Sequence, residues 1–190
     1  MSNTVSNVSV GKPKIAGAIY MAAAGTTLPT DTESSLSSYT ALGYVSDDGV
    51  TNTNSPEADT VKAWGGDTVL TLLTAKPDQF KFTLLEALNA DVLKAVYGSA
   101  NVSGALSTGL TVHANSKQIP ACVWIIDMIL TNNAVKRIVI PEGQVAEVGD
   151  IVYKDDEAIG YEITINALPS STISGDTHVE YLKAASTPGT

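Results

Sequence analysis

Short runs of alternating apolar and polar residues recur along this chain, and turn-forming residues separate them. Phe80, Phe82 and Leu84 alternate with polar neighbours, and residues 110–114 and 161–165 repeat the pattern. Because the side chains of a strand point alternately to its two faces, such runs predict strands with one buried face. Further strand candidates are residues 15–22, 42–46, 60–64, 69–74, 121–130, 135–140, 151–154 and 179–182. About ten short strands with turns between them predict a β-sandwich or a barrel.

One segment is typical of a helix. Asn89 can cap its first turn, Val92, Leu93 and Val96 share one face, and Gly98 provides a stop. A single amphipathic helix of this length covers a face or an open end of a sheet. The fold class is therefore predicted as mainly β, sandwich-like or barrel-like, with one flanking helix over about residues 89–97.

The chain has 190 residues, 44% of them hydrophobic, which suffices for one domain with a buried core. Residues 1–14 are polar with a basic end and predict an N-terminal arm, residues 15–183 predict the β domain, and residues 184–190 predict a flexible C-terminal tail. Within the domain, residues 47–66 form a polar excursion that is too long for a tight turn. We expect this excursion to be a long hairpin or loop with a functional role.

The chain lacks the patterns that catalysis or metal binding requires. His113 and His178 are the two histidines, and neither accompanies a nucleophile motif; Cys122 lies in an apolar segment with no base beside it. Grouped cysteine and histidine ligands for zinc are absent, and the acidic run 155–157 lacks the spacing of an EF-hand. A glycine-rich phosphate-binding motif is absent too. We therefore expect no enzyme activity, no metal and no cofactor.

Acidic residues outnumber basic ones, with 20 Asp and Glu against 11 Lys and Arg and a formal net charge of −9. Tight binding to DNA or RNA needs Lys and Arg to displace counterions from phosphates, so this balance disfavours nucleic acid as a tightly held ligand. The acids are concentrated within residues 31–59 and 142–162, whereas Lys12, Lys14 and the pair at 136–137 lie elsewhere. This separation has two interpretations: a charged surface that keeps the protein in solution, or contacts between acidic and basic surfaces of neighbouring copies.

The most apolar stretch, residues 121–130, is too short to span a bilayer and contains Asp127. The N-terminal segment lacks the apolar region of a signal peptide. We expect no membrane partner and expect synthesis in the cytoplasm.

Several segments follow one another in a recognisable order. They are GAIYMA at 17–22, GTTLPT at 25–30, LGYVSDDGV at 42–50, KAWGGD at 62–67, FKFTLLE at 80–86, KRIVIP at 136–141 and EAIGYEIT at 157–164. Together with the helix before Gly98, this ordered set resembles the major tail protein, or tail tube protein, of long-tailed, siphovirus-type bacteriophages. The resemblance covers about residues 15–183.

The resemblance implies a β-sandwich that assembles into hexameric rings, whose inner strands join into a barrel around a lumen. It implies that the rings stack into the tail tube of the virion, with a long hairpin and the chain termini between rings. The implied partners are other copies of the chain, a tape-measure protein, tail-tip initiator proteins and a tail terminator. Genomic DNA would pass through the lumen during ejection without tight binding, and the subunit would be made in the host cytoplasm.

These expectations select two groups of residues. Candidate contacts between subunits or rings lie in the arm and the excursion, with Trp64 as an apolar anchor: Lys12, Lys14, Asp47, Asp48, Asn54, Glu57, Asp59 and Trp64. Candidate acidic residues of the lumen are Asp155, Asp156 and Glu157, which we expect at a hairpin turn between two strands.

Three other classes of protein remain open from the sequence. The first is a different phage component, such as a tail-tip, neck or head-decoration protein. The second is a β-sandwich module that binds carbohydrate, which would need exposed aromatic residues along one face. A hydrolase is a third and weaker alternative, because the chain offers no evident base.

Overall fold

The structure, a computed structural model, describes residues 3–14 and 17–185. In this part of the chain we find thirteen strands, whose bounds are β1 Lys12–Pro13, β2 Ile19–Ala23, β3 Thr40–Ala41, β4 Val45–Asn54, β5 Glu57–Lys62, β6 Thr68–Ala75, β7 Asp78–Leu84, β8 Val102–Ala105, β9 Gly109–Val112, β10 Cys122–Ile129, β11 Val135–Val148, β12 Tyr161–Ala167 and β13 Val179–Lys183. Helix α1 spans Ala90–Tyr97. Short 3₁₀ turns occupy Val5–Asn7, Ser99–Asn101, Thr131–Asn133 and Ser171–Ile173.

Parts of three predicted segments lie outside the described residues. They are residues 1–2 of the arm, residues 15–16 of the first strand candidate and residues 186–190 of the C-terminal tail.

Nine strands form one antiparallel sheet in the order β3-β2-β10-β11-β12-β7-β4, with β1 also beside β10 and β13 also beside β11. Strand β11 serves both halves of this sheet. Its first part pairs with β10 and β13, and its second part pairs with β12. Side chains from both halves share one core, in which Ile126 and Ile138 of the first half join Phe82 and Ile163 of the second. The predicted mainly-β fold with one helix is confirmed.

The close pairing of β10 with β11 explains why residue 143 is a glycine. Trp124 of β10 is buried, packs against Phe82 with ring centroids 6.0 Å apart, and donates its indole N–H to the carbonyl oxygen of Gly143 at 3.0 Å. A Cβ atom at position 143 would lie 2.5 Å from Cδ1 of Trp124. The indole therefore occupies the space that a side chain would need at this position of β11.

A buried ion pair holds β10 and β11 in register. Asp127 and Arg137 lie directly opposite each other, and the guanidinium donates from Nε and Nη2 to the two carboxylate oxygens, each at 2.7 Å. The carboxylate of Asp127 raises the pKa of Arg137, so the guanidinium is charged. Nη1 of Arg137 also donates to the carbonyl oxygens of Asp31 and Ser34. The pair thus ties the loop after β2 to the sheet.

Helix α1 follows the sequence prediction closely. The side chain of Asn89 accepts a hydrogen bond from the N–H of Asp91 at 3.0 Å, which caps the first turn. Val92, Leu93 and Val96 are buried in the same core as the sheet, and Gly98 follows the last residue of the helix.

Two strand predictions are wrong. Residues 151–154 have no strand, because β11 continues to Val148 and the chain then crosses to β12 through an irregular loop, residues 149–160. Asp155, Asp156 and Glu157 therefore lie in this loop and not at a hairpin turn. Of residues 42–46, the strand contains only the last two, Val45 and Ser46.

We predict that Asp127→Asn destabilises the protein by about 3–5 kcal/mol, because it leaves the charge of buried Arg137 without its partner. Lys136→Met is a matched control that breaks a more exposed pair, in which Lys136 of β11 contacts Glu180 of β13. This control should cost less than about 1 kcal/mol. Free energies of unfolding from urea titration check both values, and equal losses in the two variants would contradict the prediction.

Candidate assembly surfaces

One hairpin extends well beyond the sheet. Strands β4 and β7 pair inside the sheet as far as Asn54 and Asp78, and the chain continues as a second antiparallel pair, β5 with β6. We call residues 57–75 the ribbon. Every residue from 51 to 76 is exposed, so neither face of the ribbon is covered by the rest of the domain. At about 3.3 Å per residue, the eight residues from Glu57 to Trp64 reach about 26 Å.

A tight turn closes the ribbon. The N–H of Ala63 donates to the carbonyl oxygen of Asp67 at 2.8 Å, and Gly65 and Gly66 have φ angles of 116° and 99°. Residues with side chains rarely adopt such angles, so the two glycines allow this turn. The side chain of Trp64 is fully exposed at the tip.

Large apolar residues lie on both faces of the ribbon. Leu70 is opposite Val61 and Leu72 is opposite Asp59 on one face, while Leu73 is opposite Ala58 on the other. The four large apolar residues of β6 retain between 47% and 64% of their exposure: Val69, Leu70, Leu72 and Leu73. An isolated two-stranded hairpin is marginally stable in water, and a contiguous apolar patch of this kind marks an interaction site.

The two outer edges of the ribbon differ. The β5 edge carries Glu57, Asp59 and Lys62, and Pro56 precedes it; charges and proline discourage further strand pairing. Strand β6, with the sequence TVLTLLTA, has no charge and no proline. The β6 edge is therefore the one that is open to another strand.

The residues of the predicted excursion lie in two places: at the root of the hairpin, where β4 leaves the sheet, and along the ribbon to its tip. Residues 47–66 form the outgoing half and the turn of the hairpin, and the returning half is 67–84. Asn54 ends β4, Glu57 and Asp59 lie on β5, and Trp64 lies at the tip. Sequence reasoning included residues 69–74 as a strand but missed them as part of the surface. An uncharged apolar run directly after a Gly-Gly turn was the available signal.

Asp47 and Asp48 lie at the root of the hairpin. The register of β4 against β7 jumps from Val45 opposite Leu84 to Val50 opposite Phe82, so the residues between bulge outward. The bulge forms one wall of a cleft of about 500 Å³, whose acidic lining residues are Asp47, Asp48, Asp150, Glu157 and Glu162. The fold thus brings one predicted lumen residue, Glu157, beside two predicted contact residues.

Two of these acids are paired within the chain. Glu162 accepts from Lys81 at 2.9 Å, and Glu157 accepts from Lys154 at 2.8 Å. The hydrogen bond from Lys154 lowers the pKa of Glu157. Asp155 and Asp156 are exposed in the same loop, outside the cleft lining. The cleft and its loop therefore contain more acidic than basic side chains.

The end of the arm, Lys12–Pro13, pairs with β10. Lys12 pairs with Ile129 in the sheet, and its exposed side chain lines a groove beside Asp47 and Asp48. Lys14 turns toward its own domain, with Nζ 3.5 Å from the Asp127 carboxylate. Of the two candidate lysines, Lys12 is the one with an exposed side chain and no recorded ion pair in the described chain.

The chemistry of the described residues is sparse. Within them, no group of three or more His, Cys, Asp and Glu side chains has an arrangement that could hold a metal ion. Cys122 is half-buried and burial raises the pKa of its thiol. The part of the chain that the structure covers also has no helix of the length and apolar character that crossing a membrane requires.

Comparison with known proteins identifies the family of the chain. The sequence matches the family described as "Phage tail tube protein" over residues 9–184, a span that includes all thirteen strands and the helix. No curated protein matches the chain. A tail tube protein is a structural part of the phage particle and not an enzyme. Because the match covers nearly the whole chain, the protein belongs to the phage tail tube protein family.

Proposed function

We propose that this protein is the repeating subunit of a siphovirus-type tail tube, in which hexameric rings stack around a lumen that conducts genomic DNA. The observation that carries the proposal is the ribbon: 19 residues, 57–75, that extend from the domain with apolar side chains on both faces and no cover from their own chain. Such a segment is stable in water when a neighbouring copy covers it.

The ribbon supplies the driving force for assembly. Complete burial of one leucine contributes about 1.5–3 kcal/mol, and the large apolar residues of β6 each retain roughly half of that potential. Trp64 adds an aromatic side chain of the type that dominates interfaces. A contact between the ribbon of one copy and a different surface of the next is heterologous. Such contacts close into rings or continue as filaments, as a tube of stacked rings requires.

The open edge of β6 supports a contact that forms by strand addition. Addition of a strand from a neighbouring copy would pair the free backbone groups of β6 and join the hairpins of a ring into a continuous barrel. The β5 edge, guarded by Pro56 and charges, would limit pairing on the other side. This asymmetry favours ordered addition over uncontrolled aggregation.

The acidic balance fits a conduit for DNA. A basic lumen would hold phosphates through counterion release, whereas an acidic surface repels the duplex and lets it slide. Asp155, Asp156 and Glu157 are the candidates for this surface, because they lie in one exposed loop. The partners that accompany the proposal are a tape-measure protein inside the tube, initiator proteins at the tail tip and a terminator at the other end. The subunit would be made in the host cytoplasm and function in the virion.

We predict that replacing residues 55–77 with an Asn-Gly turn leaves a folded domain that no longer forms tubes. Asn54 and Asp78 are already opposite each other, so a two-residue turn closes the shortened hairpin without disturbing the sheet. Negative-stain electron microscopy measures tube formation, and circular dichroism verifies the fold. Tubes of normal length from the shortened protein would refute the role of the ribbon.

A finer test separates apolar contact from ribbon length. Leu70→Thr with Leu72→Thr keeps β propensity but removes apolar area, and should raise the critical concentration for assembly by about tenfold or more, equivalent to about 1.4 kcal/mol. Leu70→Ile with Leu72→Ile is the matched control and should assemble like the unmodified chain. Light scattering against concentration gives both values. An unchanged critical concentration in the threonine variant would show that these side chains face solvent in the tube.

We also predict that Lys12 contributes an ionic contact between copies. Lys12→Gln should weaken assembly several-fold at about 0.05 M salt and match the unmodified protein at about 1 M salt, where screening acts over about 3 Å. Lys117→Gln removes the same charge from another exposed lysine and is the control. Each variant is compared with the unmodified protein at the same salt concentration. The general repulsion between subunits of net charge −9 then affects both proteins alike. Equal effects of Lys12→Gln at both concentrations would contradict an ionic contact.

A further inference from the structure

A buried polar cluster lies at the root of the ribbon. Asp78 is the first residue of β7, lies three residues after the end of the ribbon, and is 4% exposed. Its Oδ1 accepts from the side-chain amide of Asn52 on β4 at 2.9 Å. Its Oδ2 accepts from the hydroxyl of Thr177 and lies close to Nδ1 of His178, each at 2.5 Å. Four side chains from three separate segments therefore meet at the point where the hairpin leaves the sheet.

Asp78 carries the charge of this cluster, although burial disfavours the ionised form of its carboxyl group. Burial raises the pKa of Asp78, but the hydrogen bonds from Thr177, Asn52 and His178 outweigh burial, so the pKa is lowered. An ionised carboxylate can only accept, so Nδ1 of His178 carries the proton in this contact. The cluster is thus satisfied as a whole, and loss of one donor leaves part of a buried charge without a partner.

The cluster also joins the two halves of the sheet. Thr177 and His178 directly precede β13, which pairs with the first part of β11, whereas Asp78 begins β7 in the other half. The imidazole of His178 meets buried Phe80 edge-on, with ring centroids 5.2 Å apart. The root of the hairpin is therefore fastened to an element outside its own hairpin.

A small rotation at this root produces a large displacement at the tip. The eleven steps from Asp67 to Asp78 span about 36 Å at about 3.3 Å per step, so a rotation of about 10° moves the tip by about 6 Å. Apolar side chains make contact within about 4.5 Å, so such a displacement would misplace the tip on its target. Since the whole ribbon is exposed, its direction depends on contacts at its root.

We propose that Asp78, with Asn52, Thr177 and His178, forms a pivot clamp that fixes the direction of the ribbon before it docks on a second copy. The inference rests on the proposed function, in which the ribbon contacts a neighbouring subunit. His178 and Thr177 act as positioning residues: they contact the root through Asp78 and not the docking surface itself. Their loss would leave the ribbon intact but free to swing.

The distance between ribbon and domain tests the clamp directly. Spin labels at Asp67→Cys on the tip and Lys94→Cys on α1, in a Cys122→Ser background, report this distance by double electron–electron resonance. The labelled chain is diluted into unlabelled protein, so that only distances within one copy contribute. His178→Leu preserves bulk against Phe80 and removes the donor, whereas His178→Asn keeps a donor near the position of Nδ1. Lys136→Met removes the ion pair with Glu180 of β13, which is not a member of the clamp, and serves as the control.

We expect the distance distribution to widen about twofold in His178→Leu, as for a loosened hinge, and to keep its original width in His178→Asn and Lys136→Met. Thr177→Val provides a second donor loss if His178→Leu does not fold, and should widen the distribution as well. An unchanged width in a folded donor-loss variant would overturn the clamp, even if its melting temperature falls. A widened distribution with normal tube assembly would support the clamp and instead contradict the role of the ribbon in assembly.

Discussion

The pairing of β10 with β11 is the contact on which the other parts of the sheet depend. Strand β11 also pairs with β12 and β13, and β10 also pairs with β1 and β2, so both halves of the sheet are built outward from this pair. The buried Asp127–Arg137 pair fixes its register, because a slip of one residue in either direction would place Arg137 opposite an apolar residue, Ile126 or Met128. The rigid body that results has its hairpin root within the same sheet.

The domain and the ribbon differ in the burial of their large apolar side chains. In the domain, the large apolar residues of β7 and β12 are buried and the indole of Trp124 has a hydrogen-bond partner. In the ribbon, five large aliphatic residues and Trp64 remain exposed, although β6 alone has the composition of a core strand. This contrast supports our proposal that a second copy covers the ribbon. The family assignment and the acidic surface are consistent with that interpretation.

The sequence predicts those features that depend on neighbours along the chain. Period-two alternation locates β7 and β12, and the Asn89 cap locates α1, because both signals are local. It does not reveal that Arg137 is buried against Asp127, since this contact depends on the register of two strands. The sequence predicts a hairpin turn within residues 149–160, because the apolar residues 151–153 have the composition of a strand. In the structure these residues pair with no other strand. Asp78 and His178 lie 100 residues apart, so the clamp at the ribbon root has no signal in the sequence.

Electron cryomicroscopy of the concentrated protein tests the central claim most directly, because it shows both the assembly and the position of each ribbon. Our account predicts hollow tubes in which residues 57–75 lie against a neighbouring copy, with Leu70, Leu72 and Trp64 buried at that contact. Tubes in which the ribbon points into solvent would contradict it, even if the subunits stack in rings. So would a protein that remains monomeric at every concentration in the presence of tail-tip initiator.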